Sequence, residues 1–351
     1  MNKKIAALIL VTIFTIFSIL FGKDYLDFQN NSPSKKDAEI EKQVKNFDIS
    51  KINLIENVEI FRTPNLELLE DFIEKIKNAK KNIYIEVYMF TEKRILQALK
   101  EAKNKWIEIK VVLERNPYLS ENINNKTFDE LKNAWIEVNW SKQKNYNLNH
   151  SKLFIIDDLA IISTWNLTYS IFSTNRDFLV FTEDKRIVET LKKIFEADFK
   201  WEKKDFYNEN LVISPNISRE KIEKFLLSAE RNIKIYIQYL KDKKINDLLK
   251  NLKQKNIDIE IIVDKSAIEN EETKDLQKSG INIKAFNWKK MHSKVILVDE
   301  KYVFVWSVNF SEYSLDKNRE MWIIIKNEDI VKRILEIFKN DFIEASNNWQ
   351  N

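Results

Sequence analysis

The two histidines of this chain open the same spacing. His150, Lys152 and Asp157 form one H-x-K-x4-D run, and His292, Lys294 and Asp299 form a second. On a strand, a His and a Lys two residues apart project from one face, while the Asp seven residues after the His falls past the strand's end. One copy sets an imidazole beside an ammonium and is an incomplete site. Two copies brought together flank a pocket with two imidazoles and two lysines, to which the downstream Asn166 and Asn309 add two amides. A phosphodiester suits such a pocket. One neutral His can attack phosphorus, the other as imidazolium can protonate the leaving oxygen, and the lysines offset charge developing on the phosphoryl oxygens. Histidine fits both roles because its ordinary pKa allows either form near neutrality. A lone histidine is more simply read as a strand residue satisfied by hydrogen bonds, but matched copies argue against that. Two histidines without a further ligand cluster make a poor zinc site.

The elements that must carry these residues also come twice. A helical pattern through Leu66, Leu69, Phe72, Ile73 and Ile76 leads into an alternating strand, Asn82 to Tyr88; Ile222, Phe225 and Leu226 lead into Asn232 to Gln238. Each strand precedes a helix (92–105; 244–255) and another strand (107–113; 257–263). Then follow a short helix, a strand, the H-x-K strand, a hairpin-like return, an Asn-Arg-acid triplet and a last helix. The triplets are Asn175-Arg176-Asp177 and Asn318-Arg319-Glu320, and the last helices carry Ile194-Phe195 and Ile337-Phe338. This is an internal duplication of about 143 residues. Alternating strands and helices predict α/β layers with each sheet covered by helices.

At these residues the sequence resembles the phospholipase D superfamily, whose members carry H-x-K-x4-D with a downstream G-S-x-N-like segment. The resemblance runs from about residue 52 to 345 and includes both copies, Ser163-Thr164-Trp165-Asn166 and Trp306-Ser307-Val308-Asn309 standing for the second motif. It implies two repeated α/β/α sandwiches with mixed sheets, packed pseudo-symmetrically around one active site, in a monomer that is an internal pseudo-dimer. It also implies a covalent phosphohistidine resolved by water or an alcohol, with no metal or other cofactor needed. Carried over, it makes His150 the nucleophile and His292 the general acid, with Lys152, Lys294, Asn166 and Asn309 holding the phosphate. Asp157 and Asp299 belong to the catalytic motif in a supporting role, and Asp177 and Glu320 lie where the family places a carboxylate that orients a histidine. Ser151, Ser293, Ser307 and Thr164 either donate hydrogen bonds or pack. Two departures stand out, Trp306, where the family has Gly, and Trp165; indoles there would narrow the pocket.

Around the repeats the chain divides into residues 1–22, 23–50, 51–205 and 206–351. Lys3 and Lys4 precede an apolar run from Ile5 to Phe21, read as an uncleaved anchor or a cleaved signal; the lysines predict that the body lies outside the cytoplasm, membrane-anchored or secreted. A polar tether follows. In 351 residues, 32% charged and 44% hydrophobic residues describe a folded body with a solvated surface, and a net charge of +4 separates no class of anionic partner. With no cysteine, thiol catalysis, disulfides and thiolate metal sites are excluded. A tethered body favours a phospholipase or transphosphatidylase acting on phospholipid. The competing readings are an endonuclease acting on nucleic acid, and an inactive membrane-tethered binding protein if Trp165 and Trp306 block the pocket.

Two glycines beside nine tryptophans is an inverted ratio. Lys105-Trp106-Ile107 matches Lys255-Asn256-Ile257, and Ala134-Trp135-Ile136 matches Ser279-Gly280-Ile281. Each position follows a helix and precedes a strand, where the left-handed conformation suits Gly and Asn. Trp106, Trp135, Trp165, Trp306 and Trp322 are therefore expected to be glycines whose UGA codons have been read as tryptophan, with Trp140, Trp201, Trp288 and Trp349 less clear. The alternative is genuine aromatic packing.

Overall fold

The computed structural model describes residues 47–142, 146–215, 217–287, 289–307 and 309–345. The apolar N-terminal run, most of the tether, Val308, Trp288 and Trp349 lie outside the described residues. In chain order the first repeat comprises β1 (Val58–Arg62), α1 (Leu66–Lys77), β2 (Asn82–Val87), α2 (Lys93–Asn104), β3 (Glu108–Leu113), α3 (Asn125–Asn133), β4 (Glu137–Trp140), β5 (Lys152–Ile156), β6 (Leu159–Ser163), α4 (Tyr169–Ser173), β7 (Asn175–Arg176), β8 (Phe178–Thr182) and α5 (Lys185–Phe199). The second comprises β9 (Leu211–Ser214), α6 (Ser218–Leu227), β10 (Asn232–Ile237), α7 (Lys243–Gln254), β11 (Asp258–Asp264), α8 (Glu271–Lys278), β12 (Asn282–Phe286), β13 (Lys290–Met291), β14 (Val295–Val298), β15 (Tyr302–Val305), α9 (Glu312–Asp316), β16 (Glu320–Ile325) and α10 (Glu328–Glu344). The expected helices and strands are present with ends shifted by a residue or so.

Each repeat builds a seven-stranded mixed sheet, and the two strand orders correspond: β1-β8-β6-β5-β2-β3-β4, and β9-β16-β15-β14-β10-β11-β12. Strands β2, β3 and β4 are parallel, and β5 turns back against β2 with Val87 opposite Lys152. The start of β5 therefore lies at the carboxyl end of the parallel strands, where open α/β sheets bind ligands.

Continuous apolar runs such as Leu153–Ile156 reflect strands buried on both faces. Leu153 and Ile155 join a core between the repeats with Val295, Leu297 and the inward stripes of α5 and α10. Phe154 and Ile156 face an outer core under α1, α2 and α3, and a matching outer core forms under α6 and α7. The helices start where side chains supply the missing acceptor. Asn65 accepts from Leu68 N at α1, and Asp242 from Ile245 N at α7. Because the inter-repeat core is continuous, the described residues pack as one compact unit.

Candidate active site

Backbone pairing across the repeats sets the site. Asn149, before His150, bridges to Arg319, and Met291, before His292, pairs with Arg176. His150 N donates to Arg319 O at 2.9 Å, and His292 N to Arg176 O at 3.1 Å. The residue after each arginine then meets the ring. Glu320 Oε1 and Oε2 are both 3.0 Å from His150 Nδ1, and Asp177 Oδ1 is 2.9 Å from His292 Nδ1. Each repeat thus supplies the carboxylate for the other's histidine. The carboxylates are fixed in turn by Ser307 Oγ, which donates to Glu320 Oε2, and Thr164 Oγ1, which donates to Asp177 Oδ1. Ser293 Oγ donates to Arg176 O and Ser151 Oγ to Arg319 O. These four hydroxyls therefore bond as donors and do not merely fill space.

Lys152 Nζ and Lys294 Nζ each curl back to the carbonyl of their own motif histidine, both at 2.6 Å. Asn166 and Asn309 each keep a buried side-chain oxygen without a partner, although Asn309 Nδ2 reaches Gln238 Oε1 at 3.4 Å. Amide O and N are interchangeable in assignment, so each Asn offers a ligand one free polar atom. Tyr88 packs edge-on to the His150 ring at 4.6 Å and lies 5.3 Å from the Lys152 ammonium.

The charges act on one another across the repeats. Burial, then Lys152, Lys294 and His292, holds the His150 imidazolium well below its ordinary pKa, so this ring is neutral. Burial and Lys294 also lower His292, but the Asp177 charge opposes them. Burial alone would raise Asp177; His292, Lys294 and the Thr164 hydroxyl outweigh it and keep that carboxyl below the usual range. Burial pushes Glu320 up to about 8 against the pull of Lys152, Ser307 and Lys294. Burial also lowers Lys152 to about 7 and Lys294 to about 8. The rings keep 19% and 15% exposure, which leaves them reachable. An ionised Asp177 favours a proton on His292 more than the protonated Glu320 favours one on His150. The two halves are therefore electrostatically unequal: a neutral imidazole on one side and, on the other, one whose proton is better supported.

The structure places most of the sequence-predicted residues together: His150, Lys152, His292, Lys294, Asp177 and Glu320 interact directly or through their charges. Asp157 and Asp299 are placed elsewhere, at the far ends of their strands. Asp157 accepts from the backbone N–H of Lys80, Lys81 and Asn82 at 2.7, 2.7 and 3.1 Å, and Asp299 likewise from Glu230, Arg231 and Asn232. They belong to the motif by spacing but tie a turn to the start of β2 or β10, and they are not catalytic groups. The expectation that Trp165 and Trp306 crowd the pocket is also corrected. Trp165 turns into an outer core against Phe72, Phe154 and Phe172, and Trp306 and Trp322 turn into the other against Phe304 and Phe310. Alternation along the chain carries these rings away from the histidines.

Sequence reading missed the arginines' partners. Arg176 donates to Asp341 and Arg319 to Asp198, both at 2.9 Å, and each pair joins one repeat to the other. A pattern was available: Ile194-Phe195-Glu196-Ala197-Asp198 and Ile337-Phe338-Lys339-Asn340-Asp341 repeat an Ile-Phe-x-x-Asp spacing. A surface cavity lined by Leu54, Tyr302, Lys326 and Leu335 lies apart from the histidines. Among the described residues, no group of three or more His, Asp or Glu side chains is disposed to hold a metal ion.

A family model described as cardiolipin synthase, PLD-like domain, matches the chain twice, over residues 72–199 and 222–342. The probable cardiolipin synthase YwiE of Bacillus subtilis is 35% identical over 131 residues, 36% of this chain and 26% of that protein. Cardiolipin synthase 1 of Staphylococcus aureus is 23% identical over 329 residues, 80% of this chain and 66% of that protein. The chain thus spans less than two thirds of either relative. Among solved structures, phosphatidylserine synthase of Haemophilus influenzae aligns over 88% of this chain and 92% of its own, with TM-score 0.69 and 14% identity. Polyphosphate kinase of Porphyromonas gingivalis aligns over 80% and 46%, with TM-score 0.65 and 15% identity. Identities this low speak for the shared fold alone.

Proposed function

The chain belongs to the phospholipase D superfamily, in its cardiolipin synthase, PLD-like domain family, and on that footing we propose that it is a phosphatidyl transferase that joins two phospholipids. The observation that carries this reading is the pair of histidines from opposite repeats, each backed by the other repeat's carboxylate. In the first half-reaction, His150 Nε2 attacks phosphorus while the P–O bond to the headgroup breaks, and His292 gives its proton to the departing alkoxide. That leaves a phosphatidyl group on His150 and a neutral His292. In the second, the hydroxyl of another lipid's glycerol headgroup attacks phosphorus, His292 takes that proton, and the N–P bond breaks. Lys152 and Lys294 face the phosphoryl oxygens; their lowered pKa values in the free site rise when the anion enters, so both hold protons when charge develops.

Names of relatives support transfer over hydrolysis, and the apolar Ile5–Phe21 run would hold the body at the lipid surface outside the cytoplasm. The test is incubation with vesicles of phosphatidylglycerol. Cardiolipin with free glycerol is the expected product pair. Phosphatidic acid with glycerol would instead mark a hydrolase, and cleavage of DNA with no lipid turnover would overturn the reading in favour of a nuclease.

A further inference from the structure

Strands β2 and β10 are equivalent, and their fifth residues are Glu86 and Tyr236. In the second repeat, Tyr236 Oη donates to Asp341 Oδ2 at 2.6 Å while Arg176 donates to Asp341 Oδ1 at 2.9 Å. In the first, Arg319 donates to Asp198 Oδ1 at the same 2.9 Å, but a carboxyl stands where the tyrosine hydroxyl would be. Glu86 Oε1 accepts from Asn149 Nδ2 at 2.8 Å; Glu86 Oε2 and Asp198 Oδ2 are buried with no donor among the described residues. Asn149 Oδ1 accepts in turn from Ser151 N at 3.0 Å, so this one side chain grips the backbone on both sides of His150.

Two carboxylates out of water with a single guanidinium do not both stay ionised. A proton on Glu86 Oε2 supplies the donor that Asp198 lacks. We infer that Glu86 is a positioning residue: a neutral carboxylic acid that donates to Asp198 as the Tyr236 hydroxyl does to Asp341, while its other oxygen holds Asn149 and with it the peptide of His150. The groups facing Glu86 are Asp198 on α5, Arg319 ahead of β16, and Tyr146, Asn149 and Ser151 ahead of β5. Burial and then the Asp198 charge push Glu86 well above the usual carboxylate range. Burial raises Asp198 too, while Arg319 and the Glu86 hydrogen bond pull it back.

Infrared spectroscopy at neutral pH reads this directly. A protonated-carboxyl C=O band that Glu86→Gln removes is expected; its absence overturns the inference. Glu86→Gln keeps a donor for Asp198 and an acceptor for Asn149, so its kcat should stay near wild type. Glu86→Leu should lose kcat, roughly 10²-fold, with KM little changed. Equal damage in both variants overturns the assignment, because a neutral amide would then not serve. The kinetic arm rests on the proposed phosphatidyl transfer and the infrared arm does not, so the two failures are distinguishable.

A separate observation concerns the backbone. Helices α2, α3, α5, α7 and α8 all end with the same pair of bonds. After α2, Trp106 N donates to Lys103 O and Ile107 N to Ala102 O; Trp135, Trp201, Asn256 and Gly280 and their successors repeat the arrangement. The five residues have φ of 66, 57, 59, 66 and 84°. This cap needs the left-handed conformation, which Gly and Asn tolerate and a bulky side chain resists. The second repeat has Asn and Gly at its caps, while all three first-repeat caps carry Trp. Trp106 and Trp135 are 94% and 85% exposed, so no packing offsets the strain there; Trp201 is 45% exposed and its Nε1 donates to Trp140 O at 2.9 Å, a contact that offsets only part of it. We infer that Trp106, Trp135 and Trp201 are glycines in the living cell, at UGA codons that its ribosomes read as glycine. Peptide masses of the protein purified from its own cells should place glycine at all three; tryptophan there, or UGG codons in the gene, overturns the inference. In recombinant protein, each Trp→Gly change should raise Tm by roughly 2–4 °C; a fall in Tm counts against it.

Discussion

Glu320 Oε1 stands 3.0 Å from His150 Nδ1 although the two residues are 170 apart in the chain. The pair decides which nitrogen of His150 can attack. While Glu320 is protonated, its hydroxyl donates to Nδ1 and the ring's proton sits on Nε2; once ionised, it accepts from Nδ1–H and frees Nε2. Since burial puts this carboxyl at about 8, kcat/KM should rise with pH towards that value. Glu320→Gln should abolish that limb and lower kcat on the order of 10³–10⁴-fold, as loss of a tautomer-setting carboxylate does elsewhere. A pH–rate profile of both proteins checks it, and an unchanged limb in the variant would exclude Glu320 as its source.

Replacing the histidines should separate their roles. His150→Ala should eliminate turnover on every substrate, because no covalent intermediate can form. His292→Ala should spare substrates whose leaving groups need no proton, such as a nitrophenyl phosphodiester. The comparison is kcat/KM on lipid and activated esters; equal losses on both would contradict an acid role for His292.

Asp157 fixes three backbone N–H groups and touches no reacting group. Asp157→Ala should cost about 1–2 kcal/mol of stability, with the exposed turn letting water satisfy part of what is lost. Denaturant unfolding should register that loss while kcat at low temperature stays at wild type. A large fall in kcat with unchanged stability would return Asp157 to the catalytic set.

Lys221 is buried without a carboxylate partner and donates to Asn208 O at 2.8 Å and Leu211 O at 2.6 Å. Burial lowers its pKa to about 7. A depressed folded pKa means the unfolded chain takes up the proton first as pH falls, so stability is lost between about 10.5 and 7. Lys221→Met should remove up to one proton's worth of that slope, about 1.4 kcal/mol per pH unit. Unfolding free energies of both proteins at several pH values within that window measure it, and parallel slopes would refute a neutral Lys221.

Much of this was legible in the sequence because it repeats. Two H-x-K-x4-D runs, two Asn-Arg-acid triplets and matching helix patterns announced two similar α/β halves, although the histidines lie just ahead of β5 and β14 and not within them. Local physics also exposed Trp106 and Trp135, since the left-handed cap is a property of one helix end and its own sequence.

What sequence could not yield was whose carboxylate serves which histidine. Asp177 lies nearer in the chain to His150, yet it holds His292, because the β7–β13 pairing crosses between repeats. The same crossing set Arg319 against Asp198, and that in turn set the Asp198 charge against Glu86. Spacing put Asp157 past its strand's end, where it lies, but motif membership grouped it with the catalytic residues, and Trp306 looked obstructive because spacing does not say which face meets the pocket. Motif identity is a local property of the chain, whereas burial and charge pairing belong to the packed whole, and only packing made one imidazole neutral and gave the other's proton a carboxylate to support it.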